Sequence, residues 1–138
     1  MSNSPAETAN PSPSQGPAYR MAAMLIGIGA GHFLAPKPFD TIVPAELPGS
    51  PRAYTYASGV AEVGIGAMLL APRTRRAGAL AAVALFLAVY QANINMVRLW
   101  WDKGWPARIA ALARLPFQAP MIVQALRIRR NAPLPPAR

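Results

Sequence analysis

The stretch Ala53-Tyr-Thr-Tyr-Ala-Ser-Gly-Val-Ala-Glu62-Val-Gly-Ile-Gly-Ala-Met-Leu-Leu-Ala71, closed by Pro72, holds a single charge. Its length matches the roughly 20 residues a helix needs to cross a bilayer. An acid at mid-membrane costs roughly 2.5–3.5 kcal/mol on insertion scales, so it faces protein or water and commonly has a function. Glu62 therefore predicts both an environment and a site.

Three further apolar blocks flank this one. The first, residues 19–35, ends at Pro36; the third covers 77–101 and the fourth 109–128. Short connections between successive blocks favour antiparallel neighbours. The predicted fold is an all-α membrane protein, an antiparallel bundle of four transmembrane helices over residues 19–130. Residues 1–18 and 131–138 read as disordered tails, being polar or Pro-rich without apolar period. Residues 36–52 carry five prolines with Phe39, Ile42, Val43 and Leu47 among them. They read as a surface loop or a short half-helix over the bundle. Pro116 and Pro120 should kink the fourth helix.

Composition agrees with a membrane chain. Hydrophobic residues make up 53% of the 138 and charged residues only 14%, below the ~25% of ordinary soluble domains. The net charge of +9 lies in arginines between and after the apolar blocks, where phospholipid headgroups await them. That placement argues against nucleic acid as the partner and for the lipid bilayer. With both ends inside, eight basic residues fall on the cytoplasmic side and six outside, which orients both termini to the cytoplasm. Trp100, Trp101 and Trp105 form an aromatic belt at the opposite interface. The chain has no cysteine, so thiol chemistry is excluded. One histidine, without a His/carboxylate spacing motif, gives no metal site.

Ala23, Gly27 and Gly31 recur every four residues, giving the first helix one smooth face. Such a face lets a second backbone approach closely; packing within the monomer is favoured over homodimerisation, and the oligomeric state stays open.

Counting by depth at about 1.5 Å per residue, His32, Glu62, Asn93, Arg114 and Gln118 reach a similar level from four different helices. These five are the candidate site. Asn93, Asn95, Gln118 and Ser58 also suit interhelical glue, worth about 0.6 kcal/mol each on average. For Glu62 two readings stand: a structural lock paired with Arg114 or His32, or a protonated acid poised for proton or ligand work.

The string His32-Phe33-Leu34-Ala35-Pro36-Lys37-Pro38-Phe39-Asp40 resembles the DoxX-like family of small bacterial membrane proteins. So do Ile42-Val43-Pro44, Ser58-Gly59-Val60-Ala61-Glu62, Leu70-Ala71-Pro72-Arg73-Thr74-Arg75, Ala92-Asn93-Ile94-Asn95-Met96 and Arg114-Leu115-Pro116-Phe117-Gln118. The resemblance spans about residues 21–130, with Gln91 where relatives carry proline. It implies a bacterial inner-membrane protein, an accessory subunit to a membrane redox partner rather than an enzyme. It also implies a quinone headgroup as the ligand of a polar pocket, bonded by His32, Glu62 and Asn93. The alternatives are a small proton-coupled transporter using Glu62, and a scaffold without ligand.

Overall fold

A computed structural model describes residues 11–134. Among them are five helices and no strand: α1 Gly16–Leu34, α2 Pro36–Asp40, α3 Pro51–Leu70, α4 Arg75–Trp100 and α5 Trp105–Asn131. The stops are local. Pro17, Pro36, Pro51 and Pro106 each occupy a first-turn position, where proline lacks only an N–H that has no partner anyway. Ser50 caps α3, its Oγ accepting from the Ala53 N–H. Gly104, at φ +94°, turns the chain into α5, a conformation that only glycine adopts cheaply. α5 continues through Pro116 and Pro120.

The four long helices run antiparallel in two tight pairs. α1 packs most extensively on α3, and α4 on α5; α3 and α4 join the pairs, while α1 and α5 barely touch. Glycines set the α1–α3 spacing. A Cβ built on Gly29 would lie 2.9 Å from the Gly59 carbonyl oxygen, and one on Gly59 would lie 3.0 Å from that of Gly29. Gly66 meets Ile26 and the Ala22 carbonyl in the same way.

This differs from the stripe expected to pack. Ala23 and Gly27 are exposed, and a Cβ on Gly27 would meet nothing within 4 Å. The monomer buries Ala22, Leu25 and Gly29 instead. Both sets recur at helical spacing, so periodicity alone does not choose between them.

The apolar core, with Leu25, Leu69, Ala79, Ala82, Phe86, Ala125 and Ile128, fills one end of the bundle. That end is stitched by polar bonds. Arg75 is 1% exposed. Its guanidinium donates to the Leu69 and Leu70 carbonyls at 2.7 Å and to Gln15 Oε1 at 3.0 Å, satisfying the open C-terminal carbonyls of α3. Gln15 Nε2 donates to the Asn131 carbonyl at 2.8 Å. These bonds explain why α1 begins at Gly16, inside the stretch expected to be a tail, with Ala18 buried. α5 likewise begins at Trp105, before the expected 109. The remainder of the two expected tails, 1–10 and 135–138, lies outside the described residues.

By length and composition α4 and α5 are apolar enough to cross a membrane. α1 and α3 fall short of that measure: Pro17, Tyr19, Arg20 and His32 dilute α1, and glycines, Tyr54, Thr55, Tyr56, Ser58 and Glu62 dilute α3.

Gly29→Ala or Gly59→Ala forces the helices apart, because the obstructing atom is backbone. Each should lower stability by about 1–3 kcal/mol, the usual cost of overpacking. Gly27→Ala meets open space and should hold or raise stability by a few tenths up to about 1 kcal/mol. Melting temperatures in one detergent compare them; equal losses at positions 27 and 29 would refute this interface.

Candidate functional site

Because each helix pair is tight and α1 stands off α5, a cavity of about 470 Å³ opens between the pairs. His32, Glu62, Asn93, Arg114 and Gln118 all line it. The remaining wall is mainly apolar, from Met24, Leu25, Ile28, Leu85, Phe86, Phe117 and Met121, with Tyr54, Thr55, Ser58 and Gln91 adding polar groups. Ile42, Val43, Pro44 and Leu47, from the segment after α2, roof it.

Glu62 is 6% exposed and His32 7%. His32 Nδ1 lies 3.2 Å from Glu62 Oε2 and 2.9 Å from the Ile28 carbonyl oxygen. A bond to a carbonyl requires a proton on Nδ1, so Nδ1–H donates to Ile28. Glu62 Oε2 is then left buried with no hydrogen-bond partner, and so is Gln118 Oε1. Both atoms are acceptors on residues that line the same cavity. Buried polar atoms are nearly always paired, so each exception asks for an explanation. The imidazole is held from its other face by Phe39, stacked at 3.9 Å between centroids.

The other candidates separate by role. Asn93 is buried on the cavity wall. Asn95 faces the roof, its Nδ2 donating to the Ile42 carbonyl at 3.1 Å, so it ties α4 to the segment after α2 and not to another helix. Arg114 is exposed. Among the described residues it makes no ion pair with Glu62, so the Arg114 form of the structural lock is absent and His32 is the neighbour.

The roof has its own clamp. Asp40 accepts from Thr55 Oγ1 at 2.6 Å and Arg52 Nε at 2.9 Å, with Arg52 Nη2 at 2.8 Å. The hydrogen bonds from Arg52, then Thr55, hold the Asp40 carboxyl below the usual carboxylate range. Arg98 bonds Glu46 at 3.0 Å, tying the same segment to α4. Sequence reasoning passed over this clamp and the buried Arg75. For Asp40 and Arg52, the one signal was an acid and a base facing each other across a proline-rich loop. Nothing in the sequence distinguishes Arg75 from Arg73 or Arg76.

Fold and site together describe a small all-helical protein with two helices able to cross a membrane and a mostly apolar cavity between its helix pairs bearing a few polar groups. Residues 21–129 match a family described as a domain of unknown function, DUF8561, and the chain belongs to that family. No curated protein and no solved structure matches it.

The clamp has a pH signature. A carboxyl depressed in the folded state contributes stability that is present above its unfolded value, about 3.9, and is lost as pH falls through the folded value. With no cysteine in the chain, a spin label on Ala45→Cys is unique to the roof. It should be immobile near neutral pH and loosen only below about pH 4. With Asp40→Asn added it should be mobile throughout, and an unchanged label would refute the clamp.

Proposed function

We propose that this chain is a four-helix membrane protein that holds a small amphiphilic ring compound in its cavity and serves a membrane redox partner as an accessory subunit. The observation that carries the ligand is the pair of buried, unpartnered acceptors, Glu62 Oε2 and Gln118 Oε1. They ask for a ligand that donates hydrogen bonds, while the apolar wall asks for a ring. A cavity of about 470 Å³ falls in the ~300–1,000 Å³ range of small-molecule sites. A quinone carries carbonyl acceptors; its reduced form carries hydroxyl donors. The hydroxyl-bearing quinol therefore fits the two orphaned oxygens better, with Asn93 placed to bond it from α4.

Membrane placement is supported by the outward side chains. Val60, Leu80, Leu87, Ile94, Phe117 and Val123 are all exposed along the bundle, a belt too extensive for a free soluble surface. Exposed Trp101 and Trp105 mark one end, and the arginine-rich α3–α4 turn and α5 terminus mark the other. Together they support a membrane-embedded bundle, and the arginine bias orients both termini to the cytoplasm; the bacterial inner membrane comes from the DoxX-like resemblance. The link to redox chemistry comes from the DoxX-like resemblance. The proton-coupled transporter is the second reading, favoured by the same unpaired Glu62 oxygen beside His32.

The test uses the purified chain in lipid nanodiscs with a short-chain benzoquinol. Binding should be weakened about ten- to a hundredfold by Glu62→Gln, following the 1.5–3 kcal/mol of a bond to a charged group, and less by Arg114→Gln. No quinol binding, with proton-driven uptake that Glu62→Gln abolishes, would replace this reading with the transporter. For topology, a cysteine at Arg73 should resist an impermeant maleimide in intact cells and one at Gly49 should label. The reverse pattern would overturn the orientation.

A further inference from the structure

A second cavity, of about 270 Å³, lies at the opposite end of the bundle between the start of α1 and the last turns of α5. Its lining is mainly polar: Ser14, Gln15, Arg20, Gln124, Arg127 and Asn131. Gln15 joins the two walls and is fully used in doing so, bonded to the Asn131 carbonyl on one side and to buried Arg75 on the other. Arg20 folds back over the first turn of α1, where a Cβ on Gly16 would stand 3.8 Å from its Nη1. Neither Arg20 nor Arg127 has an ion-pair partner among the described residues.

The charge around this cavity is one-sided. Arg20, Arg73, Arg75, Arg76, Arg127, Arg129 and Arg130 gather at this end. Of the acids among the described residues, Asp40, Glu46 and Asp102 stand at the roof end and Glu62 at mid-bundle. The positive pole of α1 and the negative pole of α5 meet at this cavity and offset each other, so the arginines set the sign of the field. A recess with two guanidiniums on facing walls, amide groups beside them, and no ion-pair partner or nearby acid among the described residues is built for an anion. The planar fork of arginine matches phosphate oxygens two at a time.

We propose that this cavity binds a phosphate-bearing anion, with Arg20 and Arg127 supplying the charge and Gln124 and Asn131 the neutral contacts. Two sources present that chemistry: the headgroup of an anionic phospholipid, and free phosphate. The headgroup source rests on the membrane reading, since only then does this end meet a lipid surface; the phosphate site itself does not.

The test keeps the full chain, purified in an uncharged detergent. Retention of phosphatidylglycerol and of phosphatidylcholine is compared by native mass spectrometry, and inorganic phosphate is titrated separately by calorimetry. Wild type should hold phosphatidylglycerol in preference to phosphatidylcholine, or bind inorganic phosphate. Whichever binds should weaken at least about tenfold in Arg20→Gln/Arg127→Gln, each bond to a charged group contributing on that scale. Phosphatidylglycerol alone assigns the headgroup; inorganic phosphate binding by itself assigns the free ion. Arg130→Gln removes equal charge outside the cavity and should cost less than about threefold, as a screened surface charge does. Melting temperatures check that the variants fold; if the double variant does not, Arg127→Lys, which keeps the charge and loses the fork, should still weaken binding. Equal losses in Arg130→Gln and Arg127→Gln, or equal retention of the two lipids together with no binding of inorganic phosphate, would overturn the site. Glu62→Gln should leave all of this unchanged, so failure at the ring cavity is read separately.

Discussion

The structure depends on one backbone contact, the close approach of Gly29 and Gly59 where α1 crosses α3. A Cβ on Gly29 would also stand 3.0 Å from Glu62 Cβ, and one on Gly59 would stand 3.0 Å from His32 Cβ. The same contact that removes two side chains therefore sets their neighbours, His32 and Glu62, face to face. In a membrane the gain comes from dispersion, since lipid tails are as apolar as leucine, and close backbones maximise it. The His32–Glu62 pair is a consequence of the packing, while α2 and the segment after it supply the roof.

The cavity follows from the same economy of contact. A bundle that drew all four helices equally close would have no interior space. Here α1 clings to α3 and α4 to α5, and the α1–α5 side is left open over the half of the bundle that lacks the alanine-rich core. Polar bonds then concentrate at the two ends. Arg75, Gln15 and Arg76 stitch the base, with Arg76 Nη1 donating to the Arg129 carbonyl at 3.0 Å. Asp40, Asn95 and Arg98 pin the roof. Between them, the 3.2 Å approach of His32 to Glu62 is the polar contact between α1 and α3, and packing holds the rest of the walls.

Much of this was legible in the sequence. Prolines punctuate every helix start but that of α4, so four long helices could be read with boundaries within about four residues. Counting rise per residue put His32, Glu62, Asn93, Arg114 and Gln118 at one depth, and all five line one cavity. What depth cannot supply is azimuth. α1 offers two small-residue stripes, and only the partner decides that Gly29 packs while Gly27 faces outward. Nor does composition show that an arginine in a basic turn is buried. Arg75 became structural because α3 ends two residues before Pro72 and leaves carbonyls aimed at it.

The choice between lock and acid at Glu62 turns on proton bookkeeping at His32. A lock needs both partners saturated, because a buried pair repays its desolvation only when the remaining lone pairs and protons are also bonded. Here the Nδ1 proton goes to the Ile28 carbonyl and Glu62 Oε2 has no bond. Arg114, a cation on the same cavity, stays exposed at its margin and does not complete the pair. An acid held 6% exposed in an apolar wall with one oxygen unspent is a poor fastening. It is well placed to accept a hydrogen bond, or a proton, from whatever enters the cavity. The fastening that α1 and α3 need is already supplied by Gly29, Gly59 and Gly66, which frees Glu62 from that task.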